Sequence, residues 1–237
     1  MASALGLLSR RTALHESFTG IVILNVTQLA RWVCLASLAL PAVGQDLSRI
    51  LKAVEARYNR ARTLQVLFEQ SYSVHGRPRR TEAGELFLRK PGRMRWQYSS
   101  PKGKLFLSDG KFIYLYTPDD NRVEKAPLKE TEDMRAPLAF LLGRLDFRRD
   151  FRRFLSRPDG ADTRITAEPK SDQLPYTLVE FVVTPSREIR YLHVTGQDHS
   201  VMEFTFAAEK MNPPLADQLF RFTPPPGAEL VETTGGG

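Results

Sequence analysis

The spacing of the apolar residues changes near Thr63, and this change most limits the folds open to the chain. From Leu47 to Ala61 apolar residues recur at helical spacing, which predicts an amphipathic helix over residues 46–62. Beyond Thr63 apolar residues recur at every second position. The clearest alternating triplets are Met94, Trp96 and Tyr98, and Met202, Phe204 and Phe206. The sequence therefore predicts one helix followed by half-buried antiparallel strands.

Further strands are predicted between turn signals such as Pro91-Gly92 and Asp109-Gly110. They cover residues 64–74, 80–90, 104–108, 112–117, 122–125, 163–168, 176–183 and 189–194. No long helices alternate with these strands, which excludes a doubly wound parallel sheet. We expect a single mainly β domain with some helix, because 237 residues suit one strongly curved sheet or barrel.

The N-terminal region has the features of an export signal. Arg31 precedes a short apolar run, and small residues follow it up to Gly44. We expect residues 1–44 to comprise a signal peptide with an upstream extension, removed after Gly44, and residues 45–237 to form one soluble, monomeric domain. Alternatively Cys34 is a lipidated N-terminus. As it is the single cysteine, disulfides and cysteine-based metal sites are excluded.

Charge and motifs argue against several classes of function. Removing residues 1–44 lowers the net charge from +7 to +5, which is too diffuse to predict nucleic-acid binding. His75, His193 and His199 lack the spacing of metal ligands, and neither a nucleophile elbow nor a phosphate-binding glycine loop is present. The sequence therefore predicts no enzyme and no cofactor, although an uncharacterised hydrolase is a remaining alternative.

The middle of the chain interrupts the strand pattern. Residues 136–143 form an apolar stretch with Pro137 near its start and Gly143 at its end, which predicts a short helix. This helix is either a lid or an ordinary core helix. After it, Phe147, Phe151 and Phe154 stand among arginines, so this part is either an interaction patch or a solvated basic face over an aromatic anchor.

Three segments together resemble one known family. They are residues 84–96, with Gly-x-Leu and then basic-Pro-Gly before Trp96; residues 108–118, with an Asp-Gly turn before two tyrosines; and residues 212–227, with Asn-Pro-Pro-Leu and a Phe-rich, Pro-rich end. In this order they resemble the LolA family of periplasmic lipoprotein carriers. The resemblance implies an unclosed, half-open antiparallel β-barrel with an N-terminal helix and a short apolar lid helix.

The resemblance also implies a site. Acyl chains would bind an apolar inner face formed by Tyr58, Phe68, Leu86, Leu88, Met94, Trp96, Met202, Phe204 and Phe206. The lid and its latch would comprise Lys90, Leu138, Phe140, Leu141 and Leu142. Lys90 stands where the family has an arginine, and strand parity points it inward, toward the carbonyls of Leu141 and Leu142. The alternative is that the inner-face residues form a closed hydrophobic core.

What the resemblance implies about function is a periplasmic chaperone that carries lipoproteins from the inner to the outer membrane. Its partners would be the acyl chains of lipoproteins, an inner-membrane lipoprotein-releasing ABC transporter and an outer-membrane acceptor such as LolB. The alternative on the same barrel is a regulatory domain that senses a lipid or lipoprotein. An outer-membrane receptor would require the lipidated cysteine.

Overall fold

The computed structural model of the chain describes residues 42–74, 77–128 and 145–232. It contains one long helix, α1 (Ala42–Arg60), which starts before the predicted 46–62 and ends two residues earlier. The apolar residues of α1 recur at helical spacing, and Ile50, Leu51, Val54 and Tyr58 are buried along one face. Of the described chain, no helix is long and apolar enough to cross a membrane.

In the described residues, twelve strands follow α1 and pair into a single sheet. The first six are β1 (Thr63–Val74), β2 (Arg77–Arg89), β3 (Arg93–Ser100), β4 (Leu105–Asp109), β5 (Phe112–Thr117) and β6 (Arg122–Pro127). After a one-turn helix, α2 (Phe147–Asp150), come β7 (Phe151–Asp159), β8 (Asp162–Pro169), β9 (Tyr176–Val183), β10 (Ile189–Gly196), β11 (Val201–Met211) and β12 (Glu229–Glu232). Strands β7 and β12 are additional to those predicted from the sequence.

The sheet is open and consists of two runs of neighbouring strands joined at β1 and β11. Its order is β12-β6-β5-β4-β3-β2-β1-β11-β10-β9-β8-β7. All pairings are antiparallel except that of β12, which runs parallel to β6. The expected mainly β fold with an unclosed barrel and an N-terminal helix is therefore confirmed, with one parallel strand added at an edge. The predicted lid helix lies outside the described residues.

Alternation along the strands decides which side chains face α1. Leu64, Val66 and Phe68 of β1 are buried, whereas the intervening Leu67 is 48% exposed. Register carries the same face across the sheet, because Leu86 of β2 lies opposite both Val66 and Trp96. The buried residues of α1 belong to the same hydrophobic cluster as this face. The face on the side of α1 is called the inner face below.

Gly84 allows β2 and β3 to approach each other closely. A Cβ atom at this position would lie 2.2 Å from the carbonyl oxygen of Gln97 and 2.8 Å from the Cα of Tyr98. The register of the two strands shifts between Ala83 and Gly84. A side chain is thus excluded by the backbone of the neighbouring strand.

The C-terminal segment, residues 212–232, crosses the outer face of the sheet. It leaves β11 at Asn212, whose side-chain oxygen accepts a hydrogen bond of 2.8 Å from the Arg62 amide. Phe220, at the end of a 3-10 helix (Asp217–Phe220), is buried beneath the guanidinium of Arg89. Phe222 stacks on Tyr114 with ring centroids 4.5 Å apart before the chain pairs with β6.

The arginine-rich stretch after α2 is a paired, solvated surface. Phe147 is buried and stacks on Phe181 with ring centroids 5.1 Å apart. Arg152 and Arg153 are exposed and both pair with Glu168. Of the two interpretations of this stretch, the structure matches the basic face over an aromatic anchor.

Candidate apolar binding site

The predicted inner-face residues lie together in one apolar cluster. Tyr58, Phe68, Leu86, Leu88, Met94, Trp96 and Phe204 are all buried in it. Met202 and Phe206 are half-buried and pack against it. All nine belong to a single surface formed by α1 and strands β1, β2, β3 and β11. The residues on the strands share one face because the pairing register aligns their inward-pointing positions.

Aromatic rings form the centre of this surface. Phe68 contacts Trp96 edge-on, with centroids 4.6 Å apart, and also contacts Tyr98 at 5.2 Å. Phe204 lies 5.7 Å from Trp96 and stacks on Phe206 at 5.9 Å. Such rings offer a large apolar area.

A polar cluster attaches the C-terminal end of α1 to the inner face. Glu209 of β11 accepts hydrogen bonds from Arg57, at 2.5 Å, and from the Tyr58 hydroxyl, at 2.7 Å. The Tyr58 hydroxyl in turn accepts a bond of 2.9 Å from the amide of Ile189, and Arg57 also pairs with Glu188 at 3.1 Å. The cluster therefore joins α1 to two strands, β10 and β11, and to the turn before β10.

The charges of this cluster stabilise one another. Burial acts to lower the pKa of Arg57, but the hydrogen bond and charge of Glu209 outweigh it, so the pKa is raised. Burial and the charge of Glu209 also raise the pKa of Tyr58, which keeps its hydroxyl protonated as a donor. The carboxylate is the acceptor that both donors share.

Glu209 reaches the inner face because β11 contains a bulge. The register of β1 and β11 shifts between Gln65 and Leu67, and Ala208 has a φ of 53°. The extra residue turns Glu209 inward, and its side chain is only 7% exposed. Sequence reasoning missed Glu209, because a bulge does not alter the local apolar pattern enough to be recognised.

Lys90 contacts α1. Its ammonium donates a hydrogen bond of 2.9 Å to the carbonyl oxygen of Tyr58, near the end of the helix. Burial lowers the pKa of Lys90 from its ordinary value of 10.5. The sequence-based partners of Lys90, the carbonyls of Leu141 and Leu142, lie outside the described residues, as do Leu138 and Phe140. Within the described chain, the partner of Lys90 is therefore the first helix.

Polar side chains follow the apolar surface at the other end of the inner face. Glu82 accepts hydrogen bonds from Gln70, at 2.6 Å, and from Lys104, at 2.6 and 2.7 Å. The Tyr98 hydroxyl bonds Gln70 at 3.4 Å. The apolar surface thus lies between two polar groups of residues, this one and the cluster around Glu209.

Nowhere in residues 42–74, 77–128 and 145–232 do three His, Cys, Asp or Glu side chains form a metal-binding group. His193 lies 3.4 Å from Glu203, beside Tyr191, on the outer face, and His199 lies in a turn. His75 is outside the described residues. The two described histidines therefore belong to the surface, as the sequence indicates.

An open antiparallel sheet that curves around an apolar interior covered by a helix defines a class of β proteins built as incomplete barrels. The family model of the "Outer membrane lipoprotein carrier protein LolA" matches residues 59–223. This match covers more than half of the chain, and the chain therefore belongs to the LolA family.

Two individual relatives agree with this assignment. An outer-membrane lipoprotein carrier protein from Nitrosomonas europaea is 26% identical over 182 residues, which cover 76% of this chain and 88% of the relative. One from Chromohalobacter salexigens is 27% identical over 203 residues, covering 84% and 95%. A solved LolA superfamily structure from Nitrosomonas europaea has a TM-score of 0.42 at 11% identity, covering 74% and 97%.

Proposed function

We propose that this chain is a periplasmic chaperone that binds the acyl chains of lipoproteins on its inner face and carries them from the inner to the outer membrane. One observation supports this most: eight of the predicted residues form an apolar sheet face beneath α1, which carries the ninth, Tyr58, and is held in place by polar bonds. A surface of this kind becomes accessible when the helix moves. Family membership supplies the class of cargo.

The need for such a carrier follows from the hydrophobic effect. Each methylene buried away from water contributes about 0.8 kcal/mol, so an acyl chain of about sixteen carbons resists transfer into water by about 12 kcal/mol. Two or three chains on one lipoprotein cannot cross an aqueous compartment unaided. The carrier must also release them, and a surface that includes Met94 and Met202 can repack as cargo enters and leaves.

In this proposal α1 covers the binding surface when the protein is empty. Tyr58 belongs both to the apolar surface and to the polar cluster at Glu209, so displacing it exposes apolar area and breaks hydrogen bonds together. Binding energy from the acyl chain must offset that cost. The predicted lid residues, Leu138, Phe140, Leu141 and Leu142, would move with cargo as a second cover.

The partners follow from this role. Cargo would be received from an inner-membrane lipoprotein-releasing ABC transporter and delivered to an outer-membrane acceptor such as LolB. Residues 1–44 would direct export to the periplasm and then be cleaved off. The mature domain, 45–237, would act as a monomer. N-terminal sequencing of exported protein should give Gln45 as the first residue; an intact N-terminal segment or an acylated Cys34 contradicts this part of the proposal.

The direct test is saturable binding of a fluorescent acyl probe to the mature protein. Replacing Met202 with Gln places an amide on the half-buried edge of the inner face and should weaken binding about tenfold, the equivalent of about 1.4 kcal/mol. Leu67→Gln is the matched control, because Leu67 is exposed on the outer face. Equal effects of the two substitutions, or no saturable binding, would contradict an inner-face site.

Native mass spectrometry of protein purified from its own periplasm tests the cargo. A co-purified lipoprotein supports transport. Free lipid alone, or no bound molecule, contradicts it and favours the sensing function on the same fold.

A further inference from the structure

One polar group of the inner face, the indole N–H of Trp96, stands apart from both polar clusters and has no partner among the described residues. Trp96 is 2% exposed, and its Nε1 atom is buried without a hydrogen-bond partner among the described residues. Indole nitrogen is only a donor, so an acceptor is the one kind of group that can satisfy it. Buried donors left unpaired destabilise a fold and are uncommon in native proteins.

Among the described residues, the neighbours of Trp96 offer its indole N–H no acceptor. In the sheet it lies between Leu86 of β2 and Phe106 of β4, and its ring contacts Phe68 and Phe204. An aliphatic or aromatic residue of similar size would fill this position without leaving a polar atom unpaired. The structure thus places a hydrogen-bond donor in the middle of the surface proposed for acyl chains.

We propose that Trp96 is a specificity-determining residue whose indole N–H donates a hydrogen bond to the carbonyl oxygen of a bound acyl ester or amide. The inference rests on the proposed function, because it assigns a role within the same inner face. It adds that the protein recognises the linkage of the chain as well as its hydrocarbon. A bare hydrocarbon leaves the donor unpaired, whereas an acyl carbonyl pairs it.

The acceptor is a neutral carbonyl rather than a free carboxylate. A carboxylate buried here would need a cation to offset its desolvation. The two lysines on the described part of the inner face are engaged elsewhere, since Lys90 donates to the Tyr58 carbonyl and Lys104 to Glu82. Lipoprotein acyl chains are attached through neutral ester and amide groups, and these fit a single uncharged donor.

Trp96 can be observed directly, because the chain has two tryptophans and the other, Trp32, lies in the segment proposed to be removed. The mature protein labelled with nitrogen-15 therefore has one indole N–H resonance. We would titrate it with 1-acyl lysophosphatidylcholine and with the 1-O-alkyl analogue, which differs in lacking the carbonyl. The inference predicts a downfield shift of the indole proton with the acyl lipid and little shift with the alkyl lipid.

Affinities provide a second readout. The wild-type protein should bind the acyl lipid about five- to tenfold more tightly than the alkyl lipid, as expected for one buried hydrogen bond. Trp96→Phe, which keeps an aromatic ring and removes the donor, should bind both lipids with equal affinity. Palmitate should bind the wild-type protein more weakly than the acyl lipid.

Each contrary result identifies what has failed. If both lipids bind but the indole resonance responds equally to them, or if Trp96→Phe keeps the acyl preference, the donor role is wrong and acyl binding stands. An indole proton that stays upfield with either lipid, as for a contact with the Phe68 ring, also overturns it. If neither lipid binds, the proposed function fails and this inference fails with it. Should Trp96→Phe not fold, the wild-type resonance decides.

Discussion

The guanidinium of Arg57 and the carboxylate of Glu209 form a partly buried ion pair, with Nη2 and Oε1 2.5 Å apart, that joins α1 to the last long strand of the sheet. The two residues are 152 positions apart in sequence, so the pair links the start of the described domain to a strand near its end. Because Glu209 also accepts a hydrogen bond from the Tyr58 hydroxyl, one carboxylate binds two residues of α1.

Glu209→Gln keeps the shape of the side chain and removes its charge. We expect the free energy of unfolding to fall by about 1.5–3 kcal/mol, the contribution of a hydrogen bond to a charged group. Hydrogen exchange in α1 should become faster, and affinity for an acyl probe should rise because displacing α1 costs less. Glu168→Gln is the control, since its partners Arg152 and Arg153 are exposed. Unchanged exchange in α1 would show that the pair does not hold the helix.

Lys90→Leu removes the hydrogen bond to the Tyr58 carbonyl while retaining the apolar stem of the side chain. A cation near the C-terminal end of a helix also interacts favourably with its dipole. We therefore expect faster exchange across residues 55–61 and tighter probe binding, whereas Lys90→Arg should restore wild-type behaviour. Lys102→Leu, on an exposed turn, serves as the control. Protection of residues 55–61 that does not differ between Lys90→Leu and this control refutes the prediction.

The outer-face cluster at Glu203 predicts a dependence of stability on pH. The hydrogen bond from the Tyr191 hydroxyl, helped by His193 and Ser71, holds the pKa of Glu203 below its ordinary value of 4.5. A lowered pKa in the folded state adds stability above about pH 4.5 that is lost as the pH falls through the folded-state pKa. Glu203→Gln should therefore flatten the acid side of the stability curve. Denaturation from about pH 2.5 to pH 6 measures this; parallel curves for the two proteins contradict it.

Gly84→Ala tests the close approach of β2 and β3. The added methyl would lie 2.2 Å from the Gln97 carbonyl oxygen, and backbone atoms cannot move aside as a flexible side chain can. We expect a loss of about 1–3 kcal/mol in the free energy of unfolding, typical of overpacking. Thr81→Ala, at an exposed position of the same strand, should change it by less than about 0.5 kcal/mol. Equal midpoints in a denaturant titration would disprove the steric argument.

Local alternation accounts for the part of the site that could be predicted from the sequence. The inward direction of Leu86, Leu88 and Trp96 follows from a period of two, which needs no knowledge of distant residues. The period fails at β7, where the register shifts between Arg152 and Leu155, so that strand was not recognised. Strand β12 has four residues, most of them exposed, and forms by pairing with β6 rather than by burying an apolar face.

Contacts between distant elements account for what the sequence could not predict. Strand parity indicates that Lys90 points inward, but its bond to Tyr58 depends on where α1 ends against the sheet. Likewise the role of Glu209 depends on a bulge in β11 that turns its side chain inward, toward α1. The partners of polar residues that join separate elements can therefore be identified only from the structure. The direction of apolar residues along a strand can be predicted from the sequence.

The crossing of the outer face by residues 212–232 has a mechanical consequence. The segment is fixed beside β1, through Asn212, and again at β6, through β12, and Phe220 fastens it between these points. Because it is attached at these three points, the segment restrains strands β1 to β6 from flattening or separating. Strands β7 to β9 lie beyond its reach at the opposite edge. Under the proposed function, we therefore expect larger cargo to be accommodated by movement of strands β7 to β9, with strands β1 to β6 held more rigidly.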